Sequence, residues 1–416
     1  MKTWINIAAV AVMGTAIIGP GALRTAWADA ETDSAVSSVA DAIGHGKAVL
    51  SFRYRFEHVD QDGIDENAQA STLRTRLGLE SGEYKDLKFG VEFNNVTVVG
   101  SERYNSTRNG LTEFPVVADP DGTVVNRVYL EYSPGKSTFV LGRQNINRDN
   151  QRFIGAVGWR QNEQTFDAIN LGIGEIADWR LDYGYIWQVN RIFGPDEGSP
   201  PDEFDSNSHI VNVHFDGFQY ARLSAYAYFL DLENSPADSN KSYGIRLTGK
   251  RGITTDTLIE YSAEYATQSD YGDNPNDYSA DYHLLKIGTH FDAFTVTAGW
   301  EVLGGSDQET GKSFRTPLAT LHKFQGWADK FLTTPDAGVD DRYLALTINF
   351  LGAAASLIYH DFRADSGGQS YGDEWDFSLT RTFAKRHTFL LKYANYDATD
   401  FSTDTTKWWL QYFVKF

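Results

Sequence analysis

Apolar and polar side chains alternate with a period of two through segment after segment of the chain. In 50–57, Leu50, Phe52, Tyr54 and Phe56 fall on one face and Ser51, Arg53, Arg55 and Glu57 on the other. Segments 73–80 and 87–94 repeat the pattern, which a pleated strand produces when one face is buried in something apolar. It continues through 124–132, 137–145, 165–173, 179–190, 209–215, 220–230, 242–250, 258–267, 282–291, 294–302, 343–350, 355–362, 374–382, 388–396 and 407–416. The count is about eighteen strands, an even number.

The connections separate the two folds that such strands can build. Short links at 84–86, 134–136, 175–178, 216–218, 292–293, 351–352 and 384–386 alternate with long polar ones, including 100–122, 147–164, 191–207, 268–281, 304–341 and 364–373. A Greek-key sandwich mixes its connection lengths, whereas an up-and-down meander keeps tight turns at one end and loops at the other. The pattern predicts an all-β, antiparallel, transmembrane up-and-down β-barrel of about 18 strands with both termini in the periplasm. In the last segment Trp408, Leu410, Tyr412, Val414 and Phe416 share one face. It resembles the terminal strand that outer-membrane barrels present to their assembly machinery, with Phe416 as the contact.

The first thirty residues follow a different pattern. Lys2, an apolar run from Ile5 to Ile18, a Gly19–Pro20 break and Ala26-Trp27-Ala28 predict a signal peptide over 1–28, cleaved before Asp29. Residues 29–47, small, polar and rich in Ser and Ala, are expected to be a periplasmic leader with little structure, leaving 48–416 as one barrel. Beyond the signal no run of about 18 apolar residues occurs, which excludes a helical membrane bundle. The 26 Phe, 22 Tyr and 10 Trp fit strands and the aromatic girdles of a membrane barrel. The absence of cysteine removes disulfides and thiolate metal sites, and the net charge of −19 argues against a nucleic-acid partner. Neither a cofactor nor a metal is expected.

Two stretches carry a family resemblance. Phe139-Val-Leu-Gly-Arg-Gln-Asn-Ile, Arg152-Phe-Ile-Gly, Trp159-Arg-Gln-Asn and Thr165-Phe-Asp-Ala form the first, and Phe314-Arg-Thr-Pro-Leu-Ala-Thr-Leu-His-Lys-Phe-Gln-Gly-Trp-Ala-Asp-Lys-Phe-Leu the second. Both resemble the alginate export family of outer-membrane porins. The resemblance implies an 18-stranded monomeric barrel and, from its best-understood member, a strongly basic constriction that passes a polyuronate.

With the apolar faces outward, the lumen collects Arg53, Arg55, Arg74, Arg76, Lys88 and Arg127 from the first four strands, joined by Arg143 from the fifth. Arg180, Arg222, Arg246, Lys286 and Lys392 follow further round. Glu57, Glu80, Glu92, Glu131, Asp182, Glu260, Glu264 and Glu301 share that face, so ion pairs bracing the wall compete with a functional basic cluster as the explanation. Arg53/Arg55 beside Arg74/Arg76 would form a ladder of guanidinium forks suited to carboxylates, and hence to an anionic saccharide. The acidic loops are candidates for cation-bridged contact with lipopolysaccharide. Loop 147–164, with Arg148, Arg152, Trp159 and Arg160 among apolar residues, is expected to fold inward. Within 304–341, Leu318, Leu321, Phe324, Ala328 and Phe331 recur at helical spacing after Thr316-Pro317, predicting a short amphipathic helix capped at Thr316. Its His322 and Trp327 would either stack on a sugar or pack against the wall. Catalysis has little support: His360 and Asp361 fall on opposite faces of one strand, and no metal-ligand spacing occurs.

Overall fold

The computed structural model describes residues 38–416. A one-turn helix α1, Val39–Gly44, leads into the strands, with the Ser38 side chain accepting from the Asp41 amide. The predicted signal peptide lies outside the described residues. The end of the expected leader carries this turn, and the first strand starts at Lys47.

Eighteen strands follow: β1 Lys47–Gln61, β2 Ala68–Glu80, β3 Leu87–Val98, β4 Gly122–Tyr132, β5 Ser137–Gln144, β6 Thr165–Ile176, β7 Trp179–Asn190, β8 Glu203–Phe218, β9 Ala221–Leu230, β10 Asn240–Gly252, β11 Leu258–Asp270, β12 Ser279–His290, β13 Phe294–Leu303, β14 Val339–Phe350, β15 Ala353–Arg363, β16 Ser370–Phe383, β17 His387–Ala398 and β18 Thr405–Lys415. Each pairs antiparallel with the next, and β18 pairs with β1 from Ser51↔Lys415 to Gln61↔Thr405, so the sheet closes. Closure leaves no strand edge with unpaired backbone groups to face lipid.

Alternation along the strands sets the two faces. In β2, Leu77 and Leu79 are exposed while Thr72 and Arg74 are buried; in β18, Leu410 is exposed while Lys407 and Trp409 are buried. Four of the tight turns place two successive non-glycine or mixed residues at positive φ: Lys85–Asp86, Ala177–Asp178, Leu351–Gly352 and Ala384–Lys385. That paired left-handed geometry matches the twist of the strands it joins. Exposed Trp179, Phe218, Tyr220, Phe291, Phe294, Phe350, Phe383 and Phe389 cluster by sequence around the tight turns at this end, including those that join β8 to β9 and β12 to β13, as an interfacial girdle would.

A buried cluster joins wall residues such as Tyr226, Tyr228, Tyr282, Phe362 and Tyr396 to Phe153 and Ile154 of the 145–164 connection and Phe314, Leu318 and Phe331 of the 304–338 connection. Both long connections therefore enter the lumen and pack there.

Candidate functional site

The arginines of β1 and β2 do gather on the inner wall. Arg53 lies directly across the β1–β2 ladder from Arg74. The 145–164 connection meets them with its backbone: Arg53 donates to the carbonyls of Gly158 (3.0 Å) and Arg160 and to Gln161 Oε1 (2.9 Å). Arg55 donates to the Trp159 carbonyl (2.6 Å) and Gln411 Oε1 (2.7 Å), lies 4.0 Å above the Trp159 ring, and has Asp119 at 3.7 Å. Arg76 pairs with Glu163 (3.0 Å) and donates to Asn94. A bulge opposite Glu92 turns both Asn126 and Arg127 inward, where each donates to a Glu92 oxygen at 2.6 Å. Burial would raise the Glu163 carboxyl, but Arg76, Arg127 and Asn126 hold it down at about 2, so it stays ionised.

Arg74 is the exception. It is 6% exposed, its Nε is buried without a partner, and among the described residues it makes no hydrogen bond or ion pair. Six arginines, Arg53, Arg55, Arg74, Arg76, Arg127 and Arg160, are met by five carboxylates, Glu57, Glu92, Asp119, Glu163 and Asp329, one of which Lys407 also shares. The cluster carries a net positive charge.

The two inward connections behave as one body. Gly155 N donates to Leu318 O (2.9 Å), Thr320 N to Gln151 O (3.0 Å), and Gln164 Nε2 to Leu318 O (3.1 Å). Arg152 pairs with Glu301 of β13 (3.0 Å), donates to Thr316 Oγ1 and Gln325 Oε1, and sits 4.8 Å over Phe324. Asp329 is the hub: it takes His322 Nδ1 at 2.7 Å, Lys407 Nζ at 3.1 Å and Arg160 at 3.2 Å, while Arg160 also reaches Glu57 at 3.2 Å. His322 Nε2 accepts from Lys392 of β17 at 2.6 Å. The imidazole thus bridges an ammonium and a carboxylate. Glu374 of β16 accepts the amides of Trp327 (2.5 Å) and Ala328 (2.7 Å).

That last contact explains why the predicted amphipathic helix is absent. Among the described residues of 304–338 only Leu321–Lys323 forms a single 3-10 turn, and Thr316 is no helix cap, since its hydroxyl accepts from Arg152. Gln325, Gly326 and Asp329 have φ of 50°, 78° and 62°, so two free amides point at the Glu374 carboxylate instead of continuing a helix. A Cβ at Gly326 would collide with that carboxylate. Of the residues at that i, i+3, i+4 spacing, Leu318, Ala328 and Phe331 are buried in the interior cluster, while Leu321 and Phe324 are half-buried outside it.

Arg143 also departs from expectation. It opposes the exposed Val128, shares the outward parity of exposed Phe139 and Leu141, and pairs with Asp167 (2.7 and 2.9 Å) on the outer face, while its neighbour Gln144 is buried inside. Parity within a short strand decided this. Lys88 faces in near the turn end, opposite Glu131. Trp159 stacks on His322 (4.5 Å, 8°), and Lys392 Nζ lies 3.6 Å from the Trp327 centroid and 4.3 Å from that of Trp159, so these three rings pack against wall and plug. Asp119, Asp329 and Glu374 have no signature in the sequence; apart from His322, seven residues from Asp329, the basic and amide groups that engage their carboxylates lie more than 40 residues away along the chain.

The His322 bridge gives a pH expectation. Burial pushes this imidazole down to about 3; Asp329 pulls the other way and Lys392 adds to the push. Undocked, a histidine titrates near ~6.5. The docked state therefore binds fewer protons, so docking is strongest above ~6.5 and weakens progressively as the pH falls toward about 3. Acidifying from about pH 7 to about pH 4.5 should raise the mean single-channel conductance of wild type, and His322→Gln should remove the pH step. Equal pH steps in both proteins would place the titration elsewhere.

The profile of the alginate export family matches residues 47–303. No curated protein sequence matches the chain. Among solved structures, OccAB2 of Acinetobacter baumannii is similar at a TM-score of 0.69 and 16% identity, covering 90% of this chain and 99% of that one. The outer membrane protein OpdK of Pseudomonas aeruginosa reaches 0.68 at 14% identity, covering 89% and 98%. A structure of OpdK with vanillate is similar at 0.65 and 15% identity, again covering 89% and 98%.

Proposed function

Since the chain belongs to the alginate export family and forms an outer-membrane porin, a channel for small solutes in a Gram-negative cell envelope, we propose that it passes anionic solutes of the uronate type by passive diffusion. The observation that carries this is Arg74, a buried guanidinium across from Arg53 with no carboxylate of its own. An unpaired cation beside a lumen is a place where a passing carboxylate completes a hydrogen-bonding set that the protein leaves open. The surrounding cluster has the same sign, with six arginines against five acids.

The overall charge of −19 does not oppose this. Loop carboxylates act in open electrolyte, where fields decay over about 8 Å at physiological salt, while charges lining a narrow lumen act on every ion that passes. Reversal potentials across a salt gradient test the proposal. Wild type should prefer anions and be blocked by oligouronates, and Arg74→Glu with Arg76→Glu should move the preference toward cations. A cation-selective wild type, or selectivity unmoved by the double substitution, would leave the arginines as wall braces in a general diffusion porin. Contact with lipopolysaccharide, assembly through Phe416 and a monomeric state belong to the same proposal.

A further inference from the structure

A second arginine pair lies away from the β1–β2 ladder, at the end of the barrel that carries the long loops. A cavity of about 100 Å³ is lined there by Arg191, Phe204, Asp238, Arg315, Pro317, Leu321, Leu332 and three threonines. Arg191 follows β7, Asp238 lies between β9 and β10, and Arg315 to Thr334 belong to the inward connection.

The Arg191 guanidinium and the Arg315 backbone are held in place by contacts that leave guanidinium donors free. Arg191 lies 4.2 Å from the Phe204 centroid and 4.7 Å from that of Phe193, with one donor to the Pro201 carbonyl at 2.9 Å. Burial pulls it down to about 10, so it is charged at neutral pH. The backbone of Arg315 is clamped on both sides by the amide of Gln268, whose oxygen accepts from Arg315 N (2.7 Å) and whose nitrogen donates to Arg315 O (2.8 Å). Tyr278 fixes that amide with a 2.9 Å hydrogen bond. The Arg315 Nε is buried without a partner, and Asp238 stands off at 3.6 Å, with its other oxygen taking the Ser235 hydroxyl at 2.8 Å. Two cations thus face one loosely engaged acid across a space walled by Phe204, Pro317, Leu321 and Leu332.

We propose that this cavity is an entry site for a small monocarboxylate with a compact apolar body, the carboxylate completing the donor set of Arg191 and Arg315 and the body lying against the apolar wall. The volume is below the roughly 150 Å³ that encloses a whole benzene ring, so a bulky polar sugar does not fit inside and a single ring enters only in part. The site extends the anion-channel proposal but is read separately from it.

Calorimetric titration of the folded, detergent-purified barrel with benzoate tests it, with glucuronate and inorganic phosphate as competitors. Benzoate should occupy the Arg191–Arg315 cavity, a site that persists in Arg74→Glu, and should outcompete both there. Arg315→Met and Arg191→Met, which keep the apolar stem, should each weaken benzoate roughly tenfold or more, the expected loss of one charge-assisted contact. Heat-modifiable gel mobility confirms that the variants are folded. Arg74→Glu should leave benzoate binding intact while changing ion selectivity, so failure of either proposal is visible alone. No benzoate binding, equal binding of phosphate, or binding indifferent to both methionine substitutions would overturn the site.

Discussion

Asp329→Ala should raise single-channel conductance several-fold while the barrel stays folded. The carboxylate is 5% exposed and neutralises contacts from three directions: Arg160 on one inward connection, His322 on the other, and Lys407 on β18. Burial pushes this carboxyl up, yet His322, Lys407 and Arg160 hold it well below the usual carboxylate range. Removing one partner of a buried ion pair costs about 3–5 kcal/mol because the other charge is left uncompensated in a poorly solvated place. Here three cationic or polar partners lose it at once. The closed strand ladder does not depend on Asp329, so the cheapest relief is for the plug to leave its seat and admit water to those cations. Asp329→Asn, which keeps the shape and loses the charge, should lie between wild type and alanine. Planar-bilayer conductance together with protease nicking of 304–338 checks this. Unchanged conductance and unchanged nicking in the alanine variant would mean that Glu374 and the backbone contacts hold the plug alone.

Deleting Thr405–Phe416 should abolish the heat-modifiable barrel altogether. β18 is paired on both sides, with β17 from His387↔Val414 to Tyr396↔Thr405 and with β1 over eleven residue pairs. Without it β1 and β17 would each present a row of unpaired amides and carbonyls to hydrocarbon, at several kcal/mol per group. No rearrangement of the 145–164 or 304–338 connections supplies that many partners. Deleting Phe416 alone separates closure from recognition. Its amide donates to Leu50 O at 2.8 Å and its ring meets the edge of Phe52 at 6.4 Å, a modest set of native contacts. A loss of assembled barrel close to that of the whole-strand deletion would therefore reflect a role in insertion, and a small loss would reflect packing only.

The barrel was legible in the sequence because its determinants are local. A strand between lipid and lumen must alternate, as Leu77 and Leu79 do against Arg74 and Arg76, and a meander must put tight links and long loops at opposite ends. Those two constraints predict eighteen strands, the closure of β18 on β1 and the inward gathering of Arg53, Arg55, Arg74, Arg76 and Arg127. At Arg143, which six residues of β5 precede, alternation with Phe139 and Leu141 points outward against the expectation from charge, and alternation wins. The sequence also marked 147–164 as too apolar for water, which places it inside without saying what it touches.

Only the tertiary structure decided what the charges do. Whether an arginine is free or engaged depends on groups a hundred or more residues away: Arg53 is taken by the carbonyls of Gly158 and Arg160, Arg160 by Glu57 and Asp329, and Arg152 by Glu301. Arg74 and Arg53 look alike in sequence, and only the first is left unpaired. The absent helix at 316–331 has the same cause. Its spacing satisfies a helix, but the Glu374 carboxylate on a wall strand captures two amides from a turn around Gly326, a competition invisible until the sheet brings residues 326 and 374 together. Periodicity is a property of neighbours along the chain, and pairing is a property of neighbours in space. The fold is encoded mainly by the first, and the site by the second.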